Sequence, residues 1–502
     1  MNPERLLMID LSGPQLTPDE RAFLAEHPVG GVCLFARNIE DRFQVAELTA
    51  ELRALCGDAL LIATDQEGGG VVRSLDVPYP PSAMALGAAD DPALTEKVGA
   101  ATARGLRAQG INLNFAPVAD VNSNPRNPVI ADRSFGEDPT KVARHVAAFV
   151  GGLQGEGVGA CVKHFPGHGD TDTDSHLGLP VLDADLERLE RLEFRPFRAA
   201  LAAGVAGVMS AHIVLPQFDA HRSATLSKAA LTGLLREHLG FDGVVFTDAL
   251  NMRAIADRTT PTEAVLGAFA AGADMPVHIG PLSEHREIVQ GLRRALDEGR
   301  LEPNALTASL ERVSKLARCY PAQPDPDAAW AEGDAALSQE AAGRGLIRIG
   351  ELNTSLPLTL VAAAQVRASA ASQTTVSPAE TLRDVLAQSG LPAELLSYTR
   401  ATLIEARALL PRIAGASGTV LFVSTARTRM GEEERDFAQA VARTAPSFLH
   451  LALWNPYHVN DLPAPALVTF GFRETSLRAA AAALAGAAVT GTPPVTLEPL
   501  SK

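Results

Sequence analysis

The chain has 502 residues, 46% of them hydrophobic and 21% charged, so it can bury more than one hydrophobic core and we expect two domains. Asp and Glu outnumber Lys and Arg by 59 to 44, which gives a net charge of −15. No basic stripe offsets this charge, which argues against a nucleic acid or an anionic membrane as the partner.

The start of the chain, MNPERLLMIDLSGPQL, contains acidic residues and no long apolar run. It is unlike a secretory signal or a membrane anchor, so the sequence predicts a cytoplasmic protein. The cysteines are isolated in the sequence, without any CxxC spacing. We therefore expect buried, reduced thiols at Cys33, Cys56, Cys161 and Cys319.

Up to about Arg318, short runs rich in Val, Ile and Leu alternate with longer amphipathic stretches, as in βα units around a parallel sheet. The runs predicted as strands are 6–10, 30–35, 60–65, 111–118, 159–165, 207–213, 243–248 and 274–279. The clearest helical segments between them are 41–55, 141–154, 186–203 and 228–239. Eight such units predict a (β/α)8 barrel.

Polar residues lie at the ends of several predicted strands, whose other positions are apolar. Asp65, His164, His212 and Asp248 each occupy one of the last positions of a strand. In (β/α)8 barrels the carboxyl ends of the strands carry the active site. The sequence therefore predicts that these side chains meet at one end of the barrel.

Residues 319–330 are rich in Pro and Asp and have no helical or strand period, which indicates a linker or an extended crossover. Beyond them, buried strands are predicted at 356–363, 419–425, 448–454 and 466–472, separated by Ala-rich helices. This pattern predicts a second α/β domain built as a layered sandwich. We divide the chain into a barrel at 1–319, a linker at 320–345 and the second domain at 346–502.

The segment 163–176, KHFPGHGDTDTDSH, allows three interpretations. A calcium loop needs Gly at its sixth position and Glu at its twelfth, where this chain has Ser175 and Val181. A zinc site is disfavoured because the histidines lack helical spacing and thiol partners. In the third interpretation, Asp174 fixes the tautomer of His176, and the imidazole then gives a proton to a leaving oxygen and takes one from water.

Two further segments have the residue types of a glycosidase site. Asp248 ends an apolar strand, where it is either a helix cap or the carboxylate nucleophile that retaining glycoside hydrolysis requires. Asp65 and Arg73 flank a glycine triplet after the third strand. The triplet alone indicates a tight turn, but a carboxylate and a guanidinium together can hold sugar hydroxyls in fixed directions.

Five motifs occur in the order seen in glycoside hydrolase family 3: DQEGG, NFAPVADVN, DRSFGEDP, KHFPGHGDTDTDSH and LTGLLREHLGFDGVVFTDALNM. The fourth resembles the β-N-acetylglucosaminidase branch of that family in particular. The resemblance covers the barrel from about residue 6 to 316 and, more loosely, the second domain. It implies that Asp248 is the nucleophile, that His176 is the acid/base catalyst and that Asp174 is the partner of His176.

The resemblance also implies a set of residues that bind the N-acetylglucosamine ring. These are Asp65, Arg73, Arg133, Lys163 and His164. It implies a retaining exo-β-N-acetylglucosaminidase with no metal or organic cofactor. The implied substrates are small carbohydrates, namely peptidoglycan fragments or related N-acetylglucosamine glycosides handled in the cytoplasm.

The chain departs from the family pattern at three positions. Gly70 stands where a basic residue is common, Ala249 follows the nucleophile where a second acid is common, and His458 replaces the usual acid after NPY. The last change predicts that the second domain is structural or mediates contacts.

Four other functions stay open at this point. Within the family these are a phosphorylase, because a neutral histidine base does not repel phosphate, and a β-glucosidase. From other classes they are a metal-dependent amidohydrolase, which would use the loop histidines as ligands, and a non-catalytic sugar-binding protein. The sequence does not fix the oligomeric state.

Overall fold

The structure is a computed structural model that describes residues 2–171, 178–367 and 375–499. Over these ranges the chain forms one sheet of eight strands, one of six strands and two short two-stranded ribbons. The larger sheet is built from the first part of the chain and the six-stranded sheet from the last part. This is the α/β architecture that the sequence predicts.

The eight-stranded sheet is a parallel barrel. Its strands are β1 (Met8–Ile9), β2 (Gly31–Leu34), β3 (Leu61–Thr64), β4 (Leu113–Asn114), β5 (Gly159–Phe165), β6 (Gly207–Ser210), β7 (Val244–Thr247) and β8 (Val277–His278). Each predicted strand is present, in the spatial order β8-β1-β2-β3-β4-β5-β6-β7. A parallel bridge between Phe246 and Met275 joins β7 to the approach of β8 and closes the barrel. The strand bodies are buried, as expected for parallel strands covered by helices.

Helices follow most of the strands. Those of the barrel region are Pro18–Glu26, Arg42–Cys56, Ala83–Ala89, Pro92–Ala108, Pro139–Gly155, Leu186–Arg191, Phe194–Ala202, Arg253–Ala256, Pro261–Ala271, Leu282–Asp297 and Pro303–Cys319, together with a π-helix at Ala229–His238. Side-chain caps begin several of them, such as Thr17, which forms a capping box with Glu20.

The predicted helix at 186–203 is wrong at its centre, where it divides into Leu186–Arg191 and Phe194–Ala202. Pro196 explains the break, because it has no backbone N–H to donate to residue 192 in a continuous helix. In the first turn of a new helix, that missing donor costs nothing.

The six-stranded sheet contains β9 (Ile347–Ile349), β10 (Leu358–Ala363), β11 (Ala393–Tyr398), β12 (Val420–Ser424), β13 (Phe448–Ala452) and β14 (Ala466–Val468). Its order is β9-β14-β13-β12-β10-β11, with only β9 antiparallel to its neighbour among the strands described. Helices pack on both faces, at Asp334–Arg344, Pro378–Gln388 and Glu474–Leu484 on one side and at Leu403–Ala406, Leu410–Ala414 and Glu432–Thr444 on the other. The predicted sandwich therefore has three layers.

The segment between the sheets contains a helix at Asp334–Arg344, preceded by a 3-10 turn at Pro326–Ala329. Ala341 packs into the barrel core, whereas Ala342 packs into the core of the second sheet. The bounds that we assigned to the domains stay a prediction, because this helix belongs to both cores.

The cysteine prediction is correct for Cys33, Cys56 and Cys161, which are buried and free. It is wrong for Cys319, which is exposed because it is the last residue of Pro303–Cys319. Over the described ranges, no helix is both long enough and apolar enough to cross a bilayer.

Candidate active site

A cavity of about 670 Å³ opens at the carboxyl ends of the barrel strands. Its charged lining residues from the barrel are Arg37, Asp65, Glu67, Arg73, Asp132, Arg133, Lys163 and Asp248. The apolar side chains of the lining include Phe35, Phe115, Met209 and Ile279. Two imidazoles, those of His164 and His168, also line the cavity. The prediction from the strand ends is correct for Asp65, His164 and Asp248, which line the cavity, and wrong for His212, which is buried and does not line it. The rings and methylene groups beside charged donors and acceptors suit a sugar, which has apolar faces and polar edges.

An ion cluster lies on one wall of this cavity and contains Asp65, Glu67, Arg133 and Lys163. The Lys163 Nζ is 2.7 Å from Asp65 Oδ1 and 2.5 Å from Glu67 Oε1. The Arg133 guanidinium donates two parallel hydrogen bonds to Glu67, at 2.7 and 2.9 Å. Such paired, charge-assisted bonds fix the side chains in direction as well as in distance.

The opposite charges in the cluster keep one another ionised. Burial raises the pKa of Glu67, but Arg133 and Lys163 outweigh burial and hold that pKa well below its usual range. Burial likewise raises the pKa of Asp65, and Lys163 and Arg73 reverse the effect. Burial lowers the pKa of Lys163, yet the two carboxylates raise it overall. All three groups are therefore charged at neutral pH.

His164 is oriented by a residue that the sequence analysis did not single out. Its Nδ1 lies 2.7 Å from Asp120 Oδ2, and Asp120 also accepts the backbone N–H of His168 at 2.7 Å. Burial raises the pKa of Asp120, but His164 outweighs it and lowers that pKa, so the ionised carboxylate accepts a hydrogen bond from Nδ1–H. The Nε2 of His164 is left on the side of Arg133, 3.4 Å from its Nη2. Asp120 lies in the NFAPVADVN motif, which was its one signal in the sequence.

His168, the second imidazole in the cavity wall, is neutral at physiological pH. Its Nδ1 lies 2.6 Å from the Thr171 hydroxyl. Burial lowers the pKa of His168 to about 4, with a smaller contribution from the nearby His164.

Asp248 lines the cavity, directly after β7, and is partly exposed there. Its Oδ1 accepts the backbone N–H of Ala249 at 2.8 Å. The carboxylate therefore faces the same space as Lys163 and His164. Asp174 and His176 lie outside the described residues, so their predicted roles stay predictions. Asp170, at the start of the same loop, pairs with Arg188 at 2.5 Å.

The second domain contributes to the cavity, which corrects the prediction that it is only structural or a contact surface. Trp454 and Arg427, which follow β13 and β12, line the cavity wall. The Trp454 indole N–H donates to Asp132 Oδ1 at 3.0 Å. His458 takes no part, because it is buried and its Nε2 bonds the Thr428 carbonyl. No local pattern in the sequence signalled a contact between positions more than 300 residues apart.

Gly70 explains how the indole reaches the barrel. A Cβ at this position would lie 3.0 Å from Trp454 Cζ2 and 3.4 Å from its Cε2. The absence of a side chain at Gly70 therefore makes room for the tryptophan of the second domain. Asp132, its hydrogen-bond partner, is buried, and burial raises the pKa of Asp132 to about 7 against the lowering effects of Trp454 and Arg133.

In the part of the chain that the structure describes, no group of three or more His, Cys, Asp and Glu side chains is arranged to hold a metal ion. Two of the cavity carboxylates, those of Asp65 and Glu67, are instead paired with Lys163 and with arginines.

The chain is similar to known glycoside hydrolases. Residues 4–316 match the model of the glycosyl hydrolase family 3 N-terminal domain. A β-hexosaminidase from Chromobacterium violaceum is 42% identical over 281 residues, 54% of this chain and 78% of that protein. β-Hexosaminidase A from Pseudoalteromonas piscicida is 36% identical over 337 residues, 60% of this chain, and the match spans only 55% of the relative's length.

A solved structure extends the similarity to both domains. The family 3 β-N-acetylglucosaminidase from Paenibacillus sp. str. FPU-7 superposes with a TM-score of 0.91 at 33% identity, over 99% of this chain and 98% of that chain. The chain therefore belongs to glycoside hydrolase family 3, as its motifs indicate.

Proposed function

We propose that this protein releases terminal β-linked N-acetylglucosamine from glycosides by double displacement, with Asp248 as the nucleophile. The observation that carries the proposal is the common cavity of Asp248, the ion cluster and His164. Relatives named β-hexosaminidase and β-N-acetylglucosaminidase support the choice of sugar.

In the proposed reaction the ion cluster binds the sugar ring. Asp65 accepts hydrogen bonds from sugar hydroxyls while Lys163 and Arg73 hold its carboxylate in place. Arg133 and His164 donate or accept on the adjoining side of the ring. Because the groups are already oriented and charged, little reorganisation is needed when the sugar enters.

Asp248 then attacks the anomeric carbon as His176, oriented by Asp174, protonates the departing oxygen. The C–O bond to the leaving group breaks and a glycosyl ester forms on Asp248. His176 next takes a proton from water, which attacks the same carbon and frees the carboxylate. Two inversions leave the β configuration unchanged.

Peptidoglycan fragments are the natural substrates that we propose, in agreement with the resemblance to the N-acetylglucosaminidase branch. A cytoplasmic location follows from the same proposal. An amidohydrolase would need a metal, so hydrolysis that survives strong chelation excludes that rival.

Replacement of Asp248 by Ala tests the nucleophile. We expect kcat on a chromogenic N-acetylglucosaminide to fall by about four orders of magnitude, because the covalent route is lost. Asp242→Ala, an exposed carboxylate six positions earlier, is the matched control and should keep normal kcat. Near-normal hydrolysis by Asp248→Ala would remove this residue from its role.

Trapping with an activated 2-fluoro glycoside tests the covalent step directly. The wild-type protein should gain the mass of one sugar, and peptide mapping should place it on Asp248. A label on another residue would show that the nucleophile is misassigned. The matching chromogenic glucoside should be turned over more slowly than the N-acetylglucosaminide, and equal rates would contradict the proposed sugar.

A further inference from the structure

His212 is a strand-end histidine for which the proposed reaction gives no role. It follows β6 by two residues and its side chain is fully buried. Its Nε2 lies 2.9 Å from the carbonyl oxygen of Ala249, the residue after the proposed nucleophile. A carbonyl oxygen can only accept, so Nε2 carries a proton and donates it in this bond.

The peptide that joins Ala249 to Leu250 is held from both sides. His212 binds its carbonyl oxygen, and its N–H donates to the Val277 carbonyl at 2.9 Å. The other side of Ala249 faces the catalytic group, because the Ala249 N–H donates to Asp248 Oδ1 at 2.8 Å. Two hydrogen bonds, joined through the backbone of Ala249, therefore connect His212 to the Asp248 carboxylate.

The imidazole is itself fixed in direction. Its Nδ1 lies 2.9 Å from Thr225 Oγ1, a buried hydroxyl that is also 2.9 Å from Ser210 Oγ and 3.0 Å from the Ala211 carbonyl. Ser210 in turn accepts the backbone N–H of Asp248 through its carbonyl at 3.1 Å. The turn that carries Asp248 is thus bound on both sides to the end of β6.

We infer that His212 is a positioning residue, which directs the carboxylate of Asp248 toward the anomeric carbon by holding the Ala249 peptide. This inference rests on the proposed function, because it gives His212 a role only if Asp248 attacks the sugar. A nucleophile that is displaced by about 1 Å can lose on the order of a hundredfold in rate. Sugar binding should be unaffected, since the ion cluster makes no contact with the Ala249 peptide among the hydrogen bonds of the described residues.

Two isosteric variants separate positioning from packing. In His212→Gln the amide nitrogen replaces Nε2 and can still donate to Ala249, whereas in His212→Asn the amide reaches only as far as Nδ1. We expect His212→Asn to lower kcat by about 10- to 100-fold with KM within about twofold, and His212→Gln to restore most of the rate. If His212 had only a structural role, both variants would have a lower melting temperature, and their kcat values would not differ from each other.

The decisive measurement is the rate at which an activated 2-fluoro glycoside with a 2,4-dinitrophenyl leaving group labels Asp248. That leaving group needs no protonation, so the labelling rate reports the attack by Asp248 alone. The inference predicts slow labelling in His212→Asn and near-normal labelling in His212→Gln. Equal labelling rates in both variants and the wild type would overturn it, whereas a wild-type label away from Asp248 would overturn the proposed function instead.

A second pair of variants covers the case in which His212→Asn does not fold. Thr225→Val removes the hydroxyl that fixes Nδ1, and Thr225→Ser keeps it. The valine variant should label slowly and the serine variant should label normally. Equal labelling rates in the two would also contradict the positioning role.

Discussion

Glu67 and Asp132 are both buried in the wall of the same cavity, yet their pKa values move in opposite directions. Glu67 forms ion pairs with Arg133 and Lys163, and these outweigh the cost of burial. Asp132 has a neutral hydrogen-bond donor, the Trp454 indole, and its nearest cations only partly offset burial. In this cavity wall, the carboxylate that contacts two cations directly stays charged, whereas the pKa of the one bonded to a neutral donor is raised by burial.

Asp132 makes stability depend on pH. Its pKa is 3.8 in the ordinary reference state and about 7 in the fold, so the folded protein holds a proton there that the unfolded chain releases. Stability from this group is present below about pH 4 and declines as pH rises toward 7, by up to about 4 kcal/mol. Asp132→Asn removes that decline while its amide oxygen still accepts the indole N–H. We expect the variant to gain about 3 kcal/mol over the wild type between about pH 5 and about pH 8, measured by urea unfolding.

Asp297→Asn is the control for this comparison, since it makes the same charge change at an exposed position. It should follow the wild type at both pH values, to within about 0.5 kcal/mol. A difference between Asp132→Asn and the wild type that stays constant with pH would show that Asp132 is ionised throughout.

The sequence places some site residues correctly and has no means to find others. The predicted strand ends and the family motifs identify Asp65, Lys163, His164 and Asp248. All four line one cavity. Their catalytic and binding roles stay predictions. Trp454 was beyond prediction, because its contact with Gly70 depends on how two separate sheets pack.

Among the structural elements, the loop after β3 shows why three glycines occur in a row. Gly68 and Gly69 have φ values of +113° and +55°, and a Cβ at Gly68 would lie 2.2 Å from the Pro81 carbonyl oxygen. Gly70 does not have a positive φ, and the three atoms nearest to a Cβ at this position all belong to the Trp454 indole. The first two glycines therefore serve the turn, and the third serves the contact between the domains.

Gly70→Ala tests this assignment. The new methyl group would crowd the indole, and we expect a loss of about 1 to 3 kcal/mol in unfolding free energy. Trp454→Leu removes the crowding ring, so Gly70→Ala should cost clearly less in that background. A double-mutant cycle by urea unfolding measures the coupling.

Gly343→Ala is the matched control, because it lies in a helix and a Cβ there meets nothing within 4 Å. It should be neutral or should stabilise by up to about 1 kcal/mol. Additive effects of Gly70→Ala and Trp454→Leu would mean that the indole does not limit position 70.

The predicted elements that were wrong or missed have local physical causes. β9 and β11 were missed because each is an edge strand with exposed positions, unlike the buried runs of the other strands. The helix at 186–203 divides because Pro196 favours a new first turn over a continuous helix. Hydrophobic runs thus identify the interior strands of a parallel sheet. They do not predict edge strands or the positions at which a helix breaks.

At the scale of the whole molecule, one hydrophobic cluster spans the boundary between the barrel region and the second sheet. From the barrel region, this cluster contains Met84, Ala85 and Ala88. From the second sheet, it contains residues such as Ile347 and Val468. Hydrogen bonds cross the same boundary, including those from Asn122 to the Tyr457 hydroxyl at 2.8 Å and from Arg473 to the Gly69 carbonyl at 2.9 Å. Separation of the sheets would expose apolar surface on both and would remove Trp454 from the cavity.

We therefore expect the chain to unfold as one cooperative unit, and Phe437→Ala tests this. Phe437 is buried on the face of the second sheet that contains no barrel residue in its cluster, and its loss should cost about 3 to 5 kcal/mol. If the chain is a single unit, the barrel is destabilised as well. Hydrogen exchange measured by mass spectrometry should then show β2, β3 and β5 losing as much protection free energy as β12.

Phe43→Ala is the control, because it changes a partly exposed aromatic residue on the barrel surface. It should leave both regions unchanged to within about 0.5 kcal/mol. Barrel peptides that keep their wild-type protection in Phe437→Ala would show two independent folding units, and Trp454 would then reach the cavity by docking of a separately folded domain.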